Sequence, residues 1–172
     1  MSRKIREEQG AAALVRTWLT ALEKTMRDFH GPKPKMVCRR AYEHAAAEFI
    51  RVMTDDYGLT IESAESGRKP ETIRQAVGSY IDLGGRAGLF KDESDIDILE
   101  NNVNSVEITV RNCPYTDSCK DLIADGIEPK DLTCARMGCF RGAALALANL
   151  NCSYDVLSVD FVNGCHGVLE RM

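Results

Sequence analysis

The stretch Val106-Glu107-Ile108-Thr109-Val110-Arg111 decides the fold class, because its apolar residues recur at every second position. That period belongs to a strand with one buried and one wet face. The strand delivers Cys113-Pro114, and upstream of it the period is helical. Val15, Trp18, Leu19, Leu22, Met26 and Phe29 recur at three- and four-residue intervals, which predicts one apolar stripe on a helix ending near His30-Gly31-Pro32. A second helix is predicted from about Met36 to Asp55, with Val37, Ala41, Ala45, Phe49 and Val52 on its buried face and Gly58 as its stop. A third begins near Pro70 and carries Ile73, Val77, Tyr80 and Ile81 inward, until the glycine run Gly84 to Gly88 breaks or loosens it.

Downstream of the strand, a short helical turn from Asp117 or Ser118 to Ala124 is closed by Gly126. A longer helix then runs through Gly138 to Leu150, where Ala143, Ala144, Ala146 and Ala148 allow close packing. Asn163-Gly164 is the preferred pair for a two-residue type I′ turn, which predicts a hairpin between Leu157–Val162 and Cys165–Leu169. That turn pairs Val162 with Cys165, Phe161 with His166 and Val159 with Val168. Alternation then places Leu157, Val159, Phe161, His166 and Val168 on one face. The expected architecture is α+β. N-terminal helices pack with a small, mostly antiparallel sheet and a C-terminal β-hairpin, above a cysteine-rich C-terminal half. A length of 172 residues suits one domain over 1–172, mainly helical through 1–92 and cysteine-rich over 93–172.

Composition narrows the function classes. With 44% hydrophobic and 28% charged residues the chain has the balance of a water-soluble globular protein. The longest nearly apolar run, around Ala143 to Leu150, is far too short to cross a bilayer, and Met1 to Gly10 is charged rather than signal-like. No membrane insertion and a cytoplasmic location are expected. A net charge of −4 repels polyanions, so nucleic acid is not an expected partner. The basic runs Arg3 to Arg6 and Lys33 to Arg40 lack interleaved aromatic side chains and read as solvated ends.

Six of the seven cysteines, Cys113, Cys119, Cys134, Cys139, Cys152 and Cys165, lie within the last sixty residues, and only Cys38 precedes them. A signal-less chain sits where thiols stay reduced, which disfavours disulfides. Cys113 and Cys119, and Cys134 and Cys139, are spaced to fold back locally around one ion or cluster. Soft thiolates favour zinc or an iron-sulfur centre, so these four are the expected metal ligands. In an unbroken helix Cys134 and Cys139 would lie roughly 140° apart, so shared ligation requires Cys134 to precede the helix. If Cys134 instead sits in the first helical turn, the helix dipole favours its thiolate and a reactive cysteine results. Buried structural cysteines are the remaining alternative, and Cys38, on a helix among arginines, reads that way. Cys152 and Cys165 fit either a ligand or a strand end in the core.

Cys165 and His166 do not form a nucleophile-base dyad, because neighbours on a strand point to opposite faces. His166 fits either a ligand cavity on the apolar hairpin face or a satisfied core position. His44 sits beside alanines and reads as packing, and the glycine run Gly84 to Gly88 has no preceding strand to make it a phosphate loop.

The helices followed by a strand, the segment Cys134-Ala-Arg-Met-Gly-Cys139-Phe-Arg-Gly-Ala and the closing Asn163-Gly-Cys165-His-Gly-Val-Leu-Glu170 resemble the 4-vinyl-reductase-like, or "hydrocarbon-binding", domain family over about the last eighty residues. The resemblance implies a small-molecule-binding α+β fold related to a Golgi transport subunit, a homodimer, and family cysteines at Cys134, Cys139 and Cys165. The Cys113-Pro114-Tyr115 to Cys119 segment is additional to that pattern, and the usual glutamate before the hairpin cysteines is missing. The same features are also similar to 2-amino-thiazoline-4-carboxylate hydrolases, which implies a metal- or thiol-dependent hydrolase acting near Cys134, Cys139 and Cys165 as an alternative. An iron-sulfur accessory protein is a third reading. The first expectation is a sensory domain whose cavity takes a hydrophobic small molecule beside Leu157, Val159, Phe161, His166 and Val168, with the cysteine-bound metal fixing the loops that close it.

Overall fold

The computed structural model describes residues 7–30, 35–61, 68–89 and 95–172. The basic run Arg3 to Arg6, Lys33, and the Gly31-Pro32 stop lie outside the described residues. Helix α1 spans Glu7–His30, α2 Lys35–Arg51 and α3 Ile73–Arg86; strands β1 (Ile96–Asn102) and β2 (Ser105–Val110) follow. Then come α4 (Thr116–Ala124), α5 (Ala135–Ala148), β3 (Cys152–Ser158) and β4 (Cys165–Arg171). The class is therefore α+β, with the helices leading and an antiparallel sheet of order β1-β2-β4-β3. No helix among the described residues is long and apolar enough to cross a membrane.

The helical faces differ in part from the expected stripes. In α2 the buried apolar residues are Cys38, Tyr42, Ala46 and Ile50, one position on from the predicted set; Glu43 is buried beside them and Val37 is exposed. The rotation follows from α5, whose Gly138 and Gly142 press against Tyr42, Glu43 and Ala46 and draw that face of α2 inward. In α1, Leu19, Leu22 and Met26 are partly buried, whereas Trp18 is 70% and Phe29 78% exposed. Among the described side chains of α1, Glu23 is the most deeply buried, and Tyr42 and Thr133 supply the hydrogen bonds that a buried carboxyl needs.

Helix α3 buries Ile73, Val77, Tyr80 and Ile81 as predicted, and Thr72 caps it by accepting from the Gln75 amide at 3.2 Å. It ends inside the predicted run Gly84 to Gly88, continuing through Gly84 and Gly85 to Arg86; Gly88 has φ +75° and the Leu89 amide returns to the Gly84 carbonyl at 2.7 Å. Helix α5 starts three residues before Gly138 and packs on α2, α3 and β3.

Strand β2 is placed where its alternation predicted, with Val106, Ile108 and Val110 buried. Strand β1, its antiparallel partner, has no counterpart among the predicted elements. The β3–β4 hairpin exists, but its turn differs. Ser158 pairs with His166, Val156 with Gly167 and Tyr154 with Leu169, so a six-residue connection, 159–164, replaces the two-residue turn. The Asp160 carboxylate causes this by accepting from the amides of Val162 (2.8 Å) and Asn163 (2.9 Å). The new register turns Tyr154, Gly167 and Leu169 toward the core and leaves His166 exposed on the outer face, where its Nδ1 meets Thr109 Oγ1 at 3.0 Å.

Candidate functional site

Four segments converge on one cavity of about 40 Å³, each contributing a cysteine to its lining. Cys113 stands beyond the end of β2, Cys119 lies in α4, Cys134 caps α5 and Cys165 opens β4. Val110, Tyr115, Met137 and Phe161 supply apolar wall, and Arg136 and His166 also border it. Gly167 makes the crossing of Met137 over β4 feasible, since a Cβ there would meet the Met137 side chain at 2.7 Å.

The backbone bends sharply at two of these positions. Asn112, just before Cys113, has φ +45°, and Cys134 itself has φ +52°. Left-handed non-glycine residues are uncommon and persist where the surroundings over-determine them. At Cys134 the determinants are visible. Thr133 Oγ1 donates to Glu23 at 3.1 Å, Tyr42 also donates to Glu23, and Tyr154 donates to the Thr133 carbonyl. The loop that presents Cys134 is thus held by α1, α2 and β3 together. Burial pushes the pKa of Glu23 up despite these bonds, and pushes the Cys38 thiol beside it to about 12.

Burial likewise dominates the pocket thiols. It raises Cys134 to about 12, against an opposing hydrogen bond from the Met137 backbone, and raises Cys119 and Cys165 as well. The negative charges that Cys113, Cys134 and Cys165 would carry as thiolates raise Cys119 further. Cys134 precedes the helix as its N-cap, the position that shared ligation requires, and burial pushes its thiol up. Cys165 and His166 point to opposite sides of the sheet and form no dyad.

Of the predicted metal ligands, Cys113, Cys119 and Cys134 border the cavity. Cys139 does not; it is buried in α5, hydrogen-bonded with Tyr80. Cys165 borders the cavity with the other three. The donor chemistry fits a soft cation: thiols from four segments, with no carboxylate in the lining. As placed, no three His, Cys, Asp or Glu side chains among the described residues are gathered closely enough to hold an ion. Of the predicted hairpin residues, Phe161 and His166 border the cavity, while Leu157, Val159 and Val168 do not. Arg136, Tyr115 and Met137 were not expected at the site. Arg136 carried a signal all the same, standing two residues after Cys134 in an otherwise apolar segment.

Arg136 is 1% exposed and is the largest fully buried side chain among the described residues. Its guanidinium lies 5.0 Å from the Tyr115 ring centre and 5.8 Å from that of Phe140. Lys120 of α4 sits 5.5 Å from the centre of the Phe161 ring.

No family model matches the chain, and no curated protein matches it. Among solved structures, its fold is similar to the phenol-responsive sensory domain of the transcription activator PoxR, determined with phenol. The TM-score is 0.54 at 15% identity, over 91% of this chain and 74% of that one.

Proposed function

We propose that this chain is a sensory domain for a hydrophobic small molecule, with zinc or an iron-sulfur centre held by cysteines at the wall of its pocket. The observation that carries the reading is the convergence of Cys113, Cys119, Cys134 and Cys165 on one apolar cavity, in a fold similar to a domain that responds to phenol. A bound soft metal supplies a cross-link among four chain segments. The residues of the chain do the rest. Met137, Tyr115 and Val110 exclude water, and Phe161 covers the opening from the β3–β4 connection.

Size refines the reading. A cavity of about 40 Å³ falls well short of the roughly 150 Å³ that accommodates a benzene ring. An aromatic ligand therefore enters by displacing Phe161 and with it the connection 159–164. That connection leads directly into Cys165, so a ligand pushing on Phe161 also pulls on the segment that carries a thiol of the site. His166, the exposed Leu157 and the half-buried Val159 and Val168 would then lie along the displaced hairpin.

Anaerobic purification with zinc and iron supplied, followed by metal analysis and a visible spectrum, tests the centre. Serine at Cys113, Cys119, Cys134 or Cys165 is expected to release the metal, whereas serine at Cys139 is expected to retain it. A folded, colourless protein that retains neither metal removes the centre. Thermal shift against a panel of phenols and hydrocarbons tests the pocket. Phe161→Trp is expected to weaken any hit at least tenfold by obstructing the opening, and unchanged affinity would remove this entry route.

A further inference from the structure

Helix α1 carries two apolar faces, and the fold covers one of them. We propose that the other, the stripe Leu14, Val15, Trp18, Leu22 and Phe29, is the contact surface between two copies of this chain paired about a two-fold axis.

Leu19, Met26 and the buried Glu23 point inward, where Glu23 braces the loop that presents Cys134. Roughly a quarter turn around the axis, Leu14 is 59%, Val15 55%, Trp18 70% and Phe29 78% exposed. With the exposed Ala21 and Thr25 and the half-buried Leu22 they form a band about 120° wide that holds no charge. The charged residues of this stretch lie elsewhere. Arg16 bonds Asp121 on α4, Lys24 pairs with Asp125, Arg27 donates to the Asp125 carbonyl, Glu23 is buried, and Asp28 stands roughly 80° around the axis from Trp18.

Spacing, charge and area together name the occupant. Val15, Trp18, Leu22, Thr25 and Phe29 follow one another at intervals of three, four, three and four, the seam spacing of one helix packed along another. A lipid surface is favoured by cations flanking the apolar face, and here the cations are bonded to α4. A strongly charged partner meets no opposite charge on the band. What fits is an uncharged helix of the same period, and a second copy supplies one, since a two-fold interface is built from the same patch twice. At ordinary side-chain sizes the four exposed residues present on the order of 500 Å² per copy, at the upper end of the apolar patches found on monomers. Pairing two copies therefore buries about 1,000 Å² from these residues alone, the lower bound of a specific interface, and Ala21, Leu22 and Thr25 add to it. An interface of that size predicts a reversible dimer with a dissociation constant in the micromolar range.

Sedimentation velocity of the full chain in reducing buffer, over a roughly hundredfold range of micromolar concentrations, provides the test. Wild type is expected to pass from monomer to dimer across that range. Trp18 is the chain's only tryptophan, so its emission reports its own burial and is expected to shift to shorter wavelength as the dimer forms. Trp18→Glu and Phe29→Glu, checked for folding by far-ultraviolet circular dichroism, are expected to weaken dimerisation at least about 30-fold, and Trp18→Ala about tenfold. Leu99→Glu, at a comparably exposed site on β1, is expected to leave it within about threefold of wild type. Wild type that stays monomeric overturns the proposal and leaves the band to another partner. A dimer that forms without a shift in Trp18 emission, or that Leu99→Glu weakens as much as Trp18→Glu does, overturns it as well. Should the glutamate variants fail to fold, wild-type emission and Trp18→Ala decide between these results. Neither metal nor ligand enters the measurement, so its failure leaves the proposed sensory function standing.

Discussion

Helix α5 meets two contrasting surroundings. Along its side, Gly138 and Gly142 bring α2 so near that a Cβ at Gly138 would stand 2.7 Å from Tyr42 Cβ, and one at Gly142 would stand 2.9 Å from Glu43 Cα. At its first turn, Cys134, Arg136 and Met137 border an open cavity. The side is specified by shape, using the smallest residues to admit a neighbouring backbone. The first turn borders that cavity through Cys134 and Arg136 and is closely packed only where Met137 crosses Gly167. Loss of volume and gain of volume should both be costly on the side, while the half-buried Cys134 should tolerate size changes better.

The largest expected effect follows from Phe140, fully buried on the packed side and edge-on to Tyr80 with ring centres 6.2 Å apart. Phe140→Ala is expected to cost about 3–5 kcal/mol in urea unfolding, and a loss under about 1 kcal/mol would show that this side is loosely packed. Next comes Gly142→Ala, where the obstructing atoms are the Ala46 Cβ and the Cα and carbonyl oxygen of Glu43, none of which can rotate away. About 1–3 kcal/mol of destabilisation is expected, and a neutral outcome would break the contrast between the two surroundings.

A finer probe is Glu23, which braces the loop between them. Burial raises its folded-state pKa above the ordinary value of 4.5, so between the two values the folded chain holds a proton that the unfolded chain has released. The stabilisation from this group is complete below 4.5 and is lost as pH rises through the folded value. Glu23→Gln is expected to flatten that decline when urea midpoints of the two proteins are compared from pH 4 to pH 8; identical slopes would show that Glu23 titrates as it does when unfolded. The smallest effect is expected at Asp121, whose paired bonds to Arg16 (2.6 and 2.8 Å) tie α4 to α1 at the surface. Asp121→Asn should leave the melting temperature unchanged within error, because exposed ion pairs gain little.

Much of the packed side was legible in the sequence. The alternation at Val106–Val110 and the stripe Ile73, Val77, Tyr80 and Ile81 are local signals, and both elements lie where those signals put them. Strand β1 escaped notice because its exposed half, Leu99 to Asn102, interrupts the alternation begun by Ile96 and Ile98. The face of α2 was misread by one residue because its burial is set by two glycines a hundred positions away. The hairpin turn was misread because Asn163-Gly164 is a strong turn signal that the nearby Asp160 carboxylate overrides. At the site, clustering in sequence pointed to Cys113, Cys119 and Cys134, but spacing favoured Cys139 for the fourth position. Only the antiparallel pairing of β2 with β4, which sets Val110 opposite Cys165, brings the latter to the cavity.

Strand β4 comes last in chain order among the described elements, yet it lies between β2 and β3 in the sheet. The sheet consequently cannot grow by adding each strand to the previous edge. The β1–β2 ribbon must wait through α4 and α5 until residues 165–171 arrive to be inserted, a nonlocal closure that slows folding. Until that insertion, the edges of β2 and β3 stand open to pairing with other chains, and Cys165 is remote from its three companions. During biosynthesis, crowding of nascent molecules should thus favour strand exchange over closure of the sheet within one chain.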